Sequence, residues 1–142
     1  MKKFVLLMIV GCFLANNSFG QEPENKNNPN APEITFEETV HDFGKLPLNS
    51  PAECEFVFIN TGKEPLTILN CQAGCGCTVP TCPKEPIKPG EKGTIKVKYT
   101  TTHVASPFNK QFTVTSNAKN SVVRITIKGE IIAPTPAEVA TK

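Results

Sequence analysis

Residues 94–99 read TIKVKY and set the pattern that decides the fold, because polar and apolar side chains alternate along them. Successive side chains of a β-strand point to opposite faces of a sheet, so this alternation is typical of a strand with one buried face. An α-helix would instead place its apolar residues three or four positions apart. The stretch therefore predicts a half-buried β-strand.

The same alternation recurs over residues 34–132. Further runs lie at 34–37, 54–59, 66–68, 111–115 and 123–128, and turn-forming clusters separate them at 60–64 (NTGKE), 88–93 (KPGEKG) and 116–117 (SN). About seven short strands with turns between them predict an all-β domain, a single immunoglobulin-like antiparallel β-sandwich. A length of 142 residues with 39% hydrophobic content is compatible with one such domain. We expect no helix of any length.

Residues 1–20 have the features of a secretory signal peptide. Lys2 and Lys3 precede an apolar run over 4–15, and small residues at Ser18 and Gly20 predict cleavage before Gln21. A membrane span needs about 20 apolar residues, so neither this run nor any later one predicts a transmembrane segment. The sequence thus predicts an exported protein of the periplasm or cell envelope, associated with the outer membrane if it is lipidated.

A lipid anchor at Cys12 is the alternative. Residues 9–12 (IVGC) resemble the motif at which bacterial lipoproteins are cleaved and acylated, and Cys12 would then be the first mature residue. The apolar run continues past Cys12 to Ala15, which favours a discarded peptide and a soluble mature protein.

The segments that flank the domain have the composition of disordered chain. Residues 21–33 (QEPENKNNPNAPE) contain no large apolar side chain, and residues 133–142 (APTPAEVATK) have a similar composition. Such segments cannot bury enough apolar surface to offset the entropy lost on ordering. We predict a disordered linker over 21–33 and a flexible tail over 133–142.

The charge distribution argues against a nucleic-acid partner. Loss of Lys2 and Lys3 with the signal peptide lowers the basic residues from 15 to 13, which equals the 13 acidic residues. Arg124 is the single arginine of the chain. Nucleic-acid binding depends on clustered Lys and Arg that neutralise phosphates, and no such cluster is present.

Several short motifs in a fixed order resemble those of a known family. In chain order they are HDFG (41–44), FINTG (58–62), PLTI (65–68), CGCT (75–78), PGE (89–91) and SN (116–117). With this set, the chain resembles the bacterial secreted family DUF1573, a domain of unknown function similar in fold to Hydin-type and major-sperm-protein-like sandwiches. The resemblance covers nearly all of the domain. It implies a fold and an exported location, but no activity, and it implies no disulfide pairing because Cys54, Cys71 and Cys82 lie outside the shared motifs. Phe43 is expected to anchor the core, and Gly44 to form a bulge.

The stretch 70–83 (NCQAGCGCTVPTCP) concentrates the cysteines. Five remain after the signal peptide is removed: Cys54, Cys71, Cys75, Cys77 and Cys82. Exported proteins usually pair their cysteines in disulfides, and an odd number leaves one over within a single chain.

A hairpin with Asn60 opposite Pro65 would place Cys54 directly across from Cys71, about 4.5 Å apart at Cα, which is within disulfide range. We therefore expect a Cys54–Cys71 bond. Cys75 or Cys77 would then pair with Cys82, in a loop that glycines allow to fold tightly.

A metal or redox site is the alternative use of these sulfurs. Thiolates are soft ligands that suit copper(I) or zinc, and Cys75 and Cys77 could clamp such an ion. Their spacing matches neither the Cys-x2-Cys of a zinc ribbon nor the Cys-x-x-Cys of thioredoxin-like enzymes, so structural bridging is favoured. His41 and His103 could join a thiolate site, but ordinary polar loop residues are the preferred interpretation.

Together these patterns predict an exported binding or scaffolding module of the cell envelope, with a protein partner, no cofactor and no enzymatic activity. Loops on a rigid sandwich carry recognition, so the cysteine loop is the expected contact surface. An exposed sheet edge could also recruit a partner strand. The alternative function is a copper-handling or thiol-redox protein that uses Cys75 and Cys77.

Overall fold

The computed structural model describes residues 27–134, which form eight β-strands in two four-stranded sheets. No helix occurs in this range, and so none that could cross a membrane. The predicted signal peptide, Cys12 and residues 135–142 lie outside the described residues. The strands are β1 (Ile34–Phe36), β2 (Val40–Pro47), β3 (Ala52–Asn60), β4 (Ile68–Ala73), β5 (Thr78–Thr81), β6 (Lys92–Tyr99), β7 (Pro107–Ser116) and β8 (Val122–Ile132).

The two sheets form a sandwich, as the alternation predicts. Sheet A has the strand order β1-β3-β6-β5, and sheet B has the order β2-β8-β7-β4. The all-β, immunoglobulin-like fold class is confirmed. Two details differ from the prediction of about seven antiparallel strands: β2 and β8 run parallel, and β5 lies inside the stretch that was expected to be a loop.

The core lies between the sheets and is built from every second residue of each strand. Removing such side chains from water contributes about 1.5–3 kcal/mol each. The largest fully buried apolar ones on the strands are Phe56, Phe58, Ile95 and Val97 from sheet A and Phe112, Val114, Ile125, Ile127 and Ile131 from sheet B, and Leu66 joins them from the link between the sheets.

The link from β3 to β4 crosses from one sheet to the other, so the predicted hairpin between these strands is wrong. Asn60 at the end of β3 is fully buried, and its side-chain amide donates to the carbonyl oxygens of Glu64 and Ile87 at 2.8 and 2.9 Å. Its Oδ1 accepts from the N–H of Gly62 at 3.0 Å. These bonds turn the chain away from sheet A before Pro65, and β3 pairs with β6 instead.

Residues 28–33 are packed on the sandwich, which differs from the disordered linker predicted for 21–33. Ala31 and Pro32 are buried, and the backbone N–H of Lys119 donates to the Pro32 carbonyl oxygen at 2.9 Å. Gly62 makes this packing possible, because a Cβ there would overlap the backbone of Ala31, Pro32 and Glu33. Small residues and prolines can be buried without a large apolar side chain, a possibility that composition does not reveal.

The predicted bulge at Gly44 is confirmed. Gly44 has a φ of 63°, and the register of β2 against β8 shifts between Asp42 and Lys45. The Gly44 N–H donates to Asp42 Oδ1 at 2.8 Å. This bond, together with the Lys128 ammonium at 3.3 Å, lowers the pKa of Asp42. Phe43 is partly buried against the core, as expected, with its ring 6.0 Å from that of Phe108.

Candidate functional site: the loop end and its cysteines

Three connections meet at one end of the sandwich, and we call them together the loop end: residues 48–51, 74–77 and 100–106. They follow from the strand directions, since β2, β4 and β6 finish at this end while β3, β5 and β7 begin there. The opposite end, or far end, carries the β3–β4 link, residues 82–91 and the β7–β8 turn. The sequence places the cysteine stretch in a loop, but only the topology shows which other loops accompany it.

The structure pairs the cysteines differently from the prediction. Cys71 is bonded to Cys82, and Cys75 is bonded to Cys77. Cys54 is the free cysteine of the described residues, so the predicted Cys54–Cys71 bond is wrong. The expected bond from Cys75 or Cys77 to Cys82 is also wrong, because Cys82 is bonded to Cys71.

The reason lies in the sheet assignment. Cys54 is on β3 in sheet A, opposite Val97 of β6, whereas Cys71 is on β4 in sheet B, opposite Val114 of β7. The hairpin register that would bring Cys54 and Cys71 together does not exist once the chain crosses between sheets after Asn60. Cys54 instead packs in the core, where burial and, to a smaller extent, the charge of Glu38 raise the pKa of its thiol to about 11.

The Cys71–Cys82 bond attaches the segment after β5 to the outer edge of β4. Cys71 and Cys82 lie 6.4 Å apart at Cα, and Leu66 and Ile87 form an isolated antiparallel bridge with two backbone bonds of 2.8 Å. The separation in sequence from Leu66 to Cys71 equals the separation from Cys82 to Ile87. Residues 82–87, which we call the arm, therefore run antiparallel alongside β4. The disulfide therefore joins the flanks of the two sheets.

Backbone hydrogen bonds hold the three loops of the loop end together. The N–H of Thr100 donates to the carbonyl oxygen of Cys77 at 2.9 Å, and its hydroxyl donates to the same oxygen at 3.3 Å. The N–H of Asn49 donates to the carbonyl oxygen of Thr102 at 2.9 Å. The cysteine loop is thus fixed to 100–106, which in turn is fixed to 48–51.

The exposed surface of the loop end combines sulfur, imidazole and an apolar side chain. Cys75 is exposed, Cys77 is half-buried, and His103 is exposed. Val104 is 46% exposed and is the large apolar residue that the loop end presents to solvent. Sequence reasoning missed Val104, because a lone valine in a polar loop carries no pattern.

His41 lies elsewhere, near the start of β2 and opposite Ile127 in the middle of β8. Its ring is half-buried, 4.6 Å from the ring of Phe43, and its Nδ1 is 3.2 Å from a carboxylate oxygen of Glu38. Of the two histidines, His103 therefore lies at the loop end with the cysteine loop, and His41 does not.

Metal binding by Cys75 and Cys77 stays a prediction. In the disulfide the two sulfurs are joined to each other, so a thiolate clamp would first require reduction. Over residues 27–134, no group of three or more His, Cys, Asp or Glu side chains converges in a way that could hold an ion.

The sheet edges β1 and β4, which could recruit a partner strand, are each partly occupied by another part of the chain. The side chain of Asn120 pairs with β1, since its Oδ1 accepts from the N–H of Ile34 at 3.1 Å and its Nδ2 donates to the Ile34 carbonyl oxygen at 2.7 Å. The arm runs along β4 and contains Pro83 and Pro86.

The edges β2 and β5 carry prolines where a partner strand would need an N–H. The N–H of Thr100 donates to the Cys77 carbonyl oxygen, and in an antiparallel pair the backbone groups of every second residue then face the neighbouring strand. The backbone groups of Val79 and Thr81 therefore face β6, and the backbone nitrogen of Pro80 faces outward. On β2, Leu48 donates to the Ile132 carbonyl oxygen, so Pro47 faces outward beyond the bulge. Proline, bulges and coverage are the means by which sheets avoid edge-to-edge pairing. All four edge strands of the described chain have such protection.

A shallow groove of about 460 Å³ lies on the outer face of sheet A. Its charged walls are already paired, with Lys98 3.1 Å from Glu53 and Lys96 3.4 Å from Glu55. Exposed ion pairs of this kind contribute little to stability, and they leave the face without a dominant charge. The loop end is therefore the better candidate for a contact surface.

Comparison with known proteins places this architecture among related folds. A family model described as a protein of unknown function (DUF1573) matches residues 34–131. A solved structure of a protein of unknown function from Porphyromonas gingivalis W83 is similar with a TM-score of 0.64 and 16% identity, covering 72% of this chain and 48% of that one. This chain thus spans about half the length of that protein.

Two further solved structures share the fold. The ASH / PapD-like domain of human CEP192 is similar with a TM-score of 0.57 and 8% identity, covering 94% of this chain and 100% of that one. The YadV chaperone is similar with a TM-score of 0.53 and 19% identity, covering 75% of this chain and 56% of that one. At such identities the likeness concerns the fold alone. No curated protein matches the chain.

Proposed function

Because the chain belongs to the DUF1573 family of proteins of unknown function, we propose from its own geometry that it is a non-enzymatic binding or scaffolding module of the cell envelope. Its contact surface is the loop end, and its partner is another protein. The protein is exported, and its mature form begins after the signal peptide.

The observation that carries this proposal is the contrast between the edges and the loop end. The four edge strands are partly occupied by another part of the chain or carry outward-facing prolines, which disfavours recruitment of a partner strand. The loop end is exposed, yet its loops are bonded to one another. A surface that is ordered before binding loses little conformational entropy when a partner docks on it.

The likeness to a structure described as a chaperone supports a protein-binding role, since sandwiches of this kind include proteins that act on other proteins. It supplies no partner for this chain. The apolar Val104 beside the polar loop residues has the character of a small interface anchor with a polar rim.

Site-specific cross-linking in the cell envelope tests the proposal. A photoreactive amino acid replaces Val104 at the loop end or, as a matched control, the exposed Lys63 at the far end. We expect a discrete cross-linked protein from position 104 and none from position 63. Excess wild-type protein should compete it away, whereas excess Val104→Asp should not. Equal cross-linking from both positions would show that the loop end is not the contact surface.

A further inference from the structure

The two disulfides of the cysteine stretch have different structural positions. Cys71 and Cys82 are half-buried against the core, and their bond holds the arm on β4. Cys75 and Cys77 are separated by a single residue, and their bond joins no two elements. Opening the second bond would therefore leave every strand pairing intact, while the Thr100 bonds still hold the Cys77 carbonyl.

The surroundings of Cys75 and Cys77 are open to an incoming group. Cys75 is exposed, and a Cβ placed on Gly74 or on Gly76 would meet nothing within 4 Å. The space on both sides of Cys75 is thus free, and the adjacent glycines can change conformation when the ring opens. Exposed disulfides are in general the labile or catalytic ones, whereas structural disulfides resist reduction.

From this arrangement we propose that the Cys75–Cys77 disulfide is a thiol–disulfide exchange site that accepts two electrons from a protein or peptide dithiol. A thiolate of the dithiol attacks Sγ of Cys75, the more exposed residue of the two. The bond between Cys75 and Cys77 breaks, and its electron pair leaves on Cys77, which takes a proton from water. The product is a mixed disulfide between Cys75 and the partner.

The second thiolate of the partner then attacks the partner sulfur of the mixed disulfide. Cys75 leaves as a thiolate and is protonated, so the partner dithiol has become a disulfide and Cys75 and Cys77 have become two thiols. The reverse exchange with a partner disulfide restores the Cys75–Cys77 bond. Cys54 does not interfere, because it is buried in the core.

A glutathione titration of the full exported protein tests the proposal. The protein is equilibrated with reduced and oxidised glutathione, its free thiols are alkylated, and the modified cysteines are mapped by mass spectrometry. We expect Cys75 and Cys77 to open at a ratio of the squared reduced to the oxidised glutathione concentration at least roughly tenfold lower than the ratio that opens Cys71 and Cys82. Opening of both bonds together, or of Cys71–Cys82 first, would overturn the proposal.

Single variants identify the sulfur that is attacked. In Cys77→Ser, Cys75 is left as a thiol, and in Cys75→Ser, Cys77 is left. We expect oxidised glutathione to form a mixed disulfide roughly tenfold faster on Cys75 than on Cys77, since Cys75 is exposed and Cys77 is half-buried. Equal rates would contradict the assigned direction of attack.

A synthetic peptide with two cysteine thiols tests the electron transfer itself. Wild-type protein should oxidise one peptide per molecule, and Cys75→Ser/Cys77→Ser should lose this activity while keeping the wild-type far-ultraviolet circular dichroism spectrum. Cys71→Ser/Cys82→Ser should retain it. A wild-type protein without activity, or an active Cys75→Ser/Cys77→Ser variant, would overturn the proposal. These readouts use no envelope partner, so they can fail independently of the proposed binding function.

Discussion

Asn60 shows how much of the fold one side chain can organise. Besides its bonds to Glu64, Ile87 and Gly62, its Oδ1 accepts from the N–H of Glu33 at 3.4 Å. One buried amide thus bonds four backbone groups from three neighbouring segments at the far end. Buried polar groups deprived of their partners cost about 1–3 kcal/mol each, so the role of Asn60 is measurable.

We expect Asn60→Ala to lower the free energy of unfolding by roughly 3 kcal/mol or more, because it removes four hydrogen bonds from a fully buried side chain to partly buried backbone groups. Asn60→Asp should also destabilise the protein, since a carboxylate would face the carbonyl oxygens of Glu64 and Ile87. Urea denaturation measures both. Asn70→Ala, at an exposed position of β4, is the control and should change stability by no more than about 0.5 kcal/mol.

Thr78 is the opposite case. Its Oγ1 is the one side-chain polar atom of the described residues that is buried without a hydrogen-bond partner. Valine has the same shape without the hydroxyl, so we expect Thr78→Val to raise the free energy of unfolding by about 1 kcal/mol. Thr81→Val, on the exposed face of the same strand, should have little effect. A destabilised Thr78→Val would mean that the hydroxyl has a partner after all.

At the scale of elements, the arm and its attachment to β4 connect the two sheets. Asn120 protects β1 with a side chain, whereas the arm protects β4 with a length of chain fixed at Ile87 and Cys82. The arm also follows β5, so its disulfide ties sheet A to sheet B.

Removal of the Cys71–Cys82 bond should lower the free energy of unfolding. Closing a loop of this size restricts the unfolded chain by about 3 kcal/mol, and we expect Cys71→Ser/Cys82→Ser to lose roughly that much stability. Amide hydrogen exchange should become faster in the arm and in β4 and β5 before it does in β3 or β6. The bond that Cys75→Ser/Cys77→Ser removes closes a much shorter loop, so this variant should lose less stability. An equal loss in the two double variants would contradict this assignment.

At the scale of the whole molecule, Cys54 reports on separation of the sheets. It faces the core from β3, and burial raises the pKa of its thiol to about 11 from an ordinary value of 9.0. Well below pH 9 the thiol is protonated in nearly all molecules of both states. As the pH rises from 9 toward 11 the unfolded chain releases this proton first, so the contribution of Cys54 to stability is lost over that range.

Alkylation of Cys54 at pH 8 tests whether the two sheets stay together in the native state, because only the thiolate reacts. A pKa higher by about two units lowers the thiolate fraction about a hundredfold, and burial blocks access in addition. We therefore expect Cys54 in the folded protein to react with iodoacetamide at least ~100-fold more slowly than in urea. Rapid alkylation without denaturant, with mass mapping to Cys54, would show that the two sheets part in the native state.

The sequence determined the sandwich, because alternation of side chains over 94–99 and its repeats can be satisfied only by strands with one buried face. It also determined the bulge at Gly44, where a left-handed φ suits glycine. Both depend on local geometry, which neighbours in the chain fix between themselves.

The tertiary structure alone decided the cysteine pairing, the coverage of the edges and the composition of the loop end. Whether Cys54 can reach Cys71 depends on the crossing after Asn60, which the side chain of Asn60 enforces by bonding segments distant in sequence. Val104 and Cys75 share a surface only because β4 and β6 both finish at the same end. Such contacts depend on which strands become neighbours, and no pattern within a single strand encodes that choice.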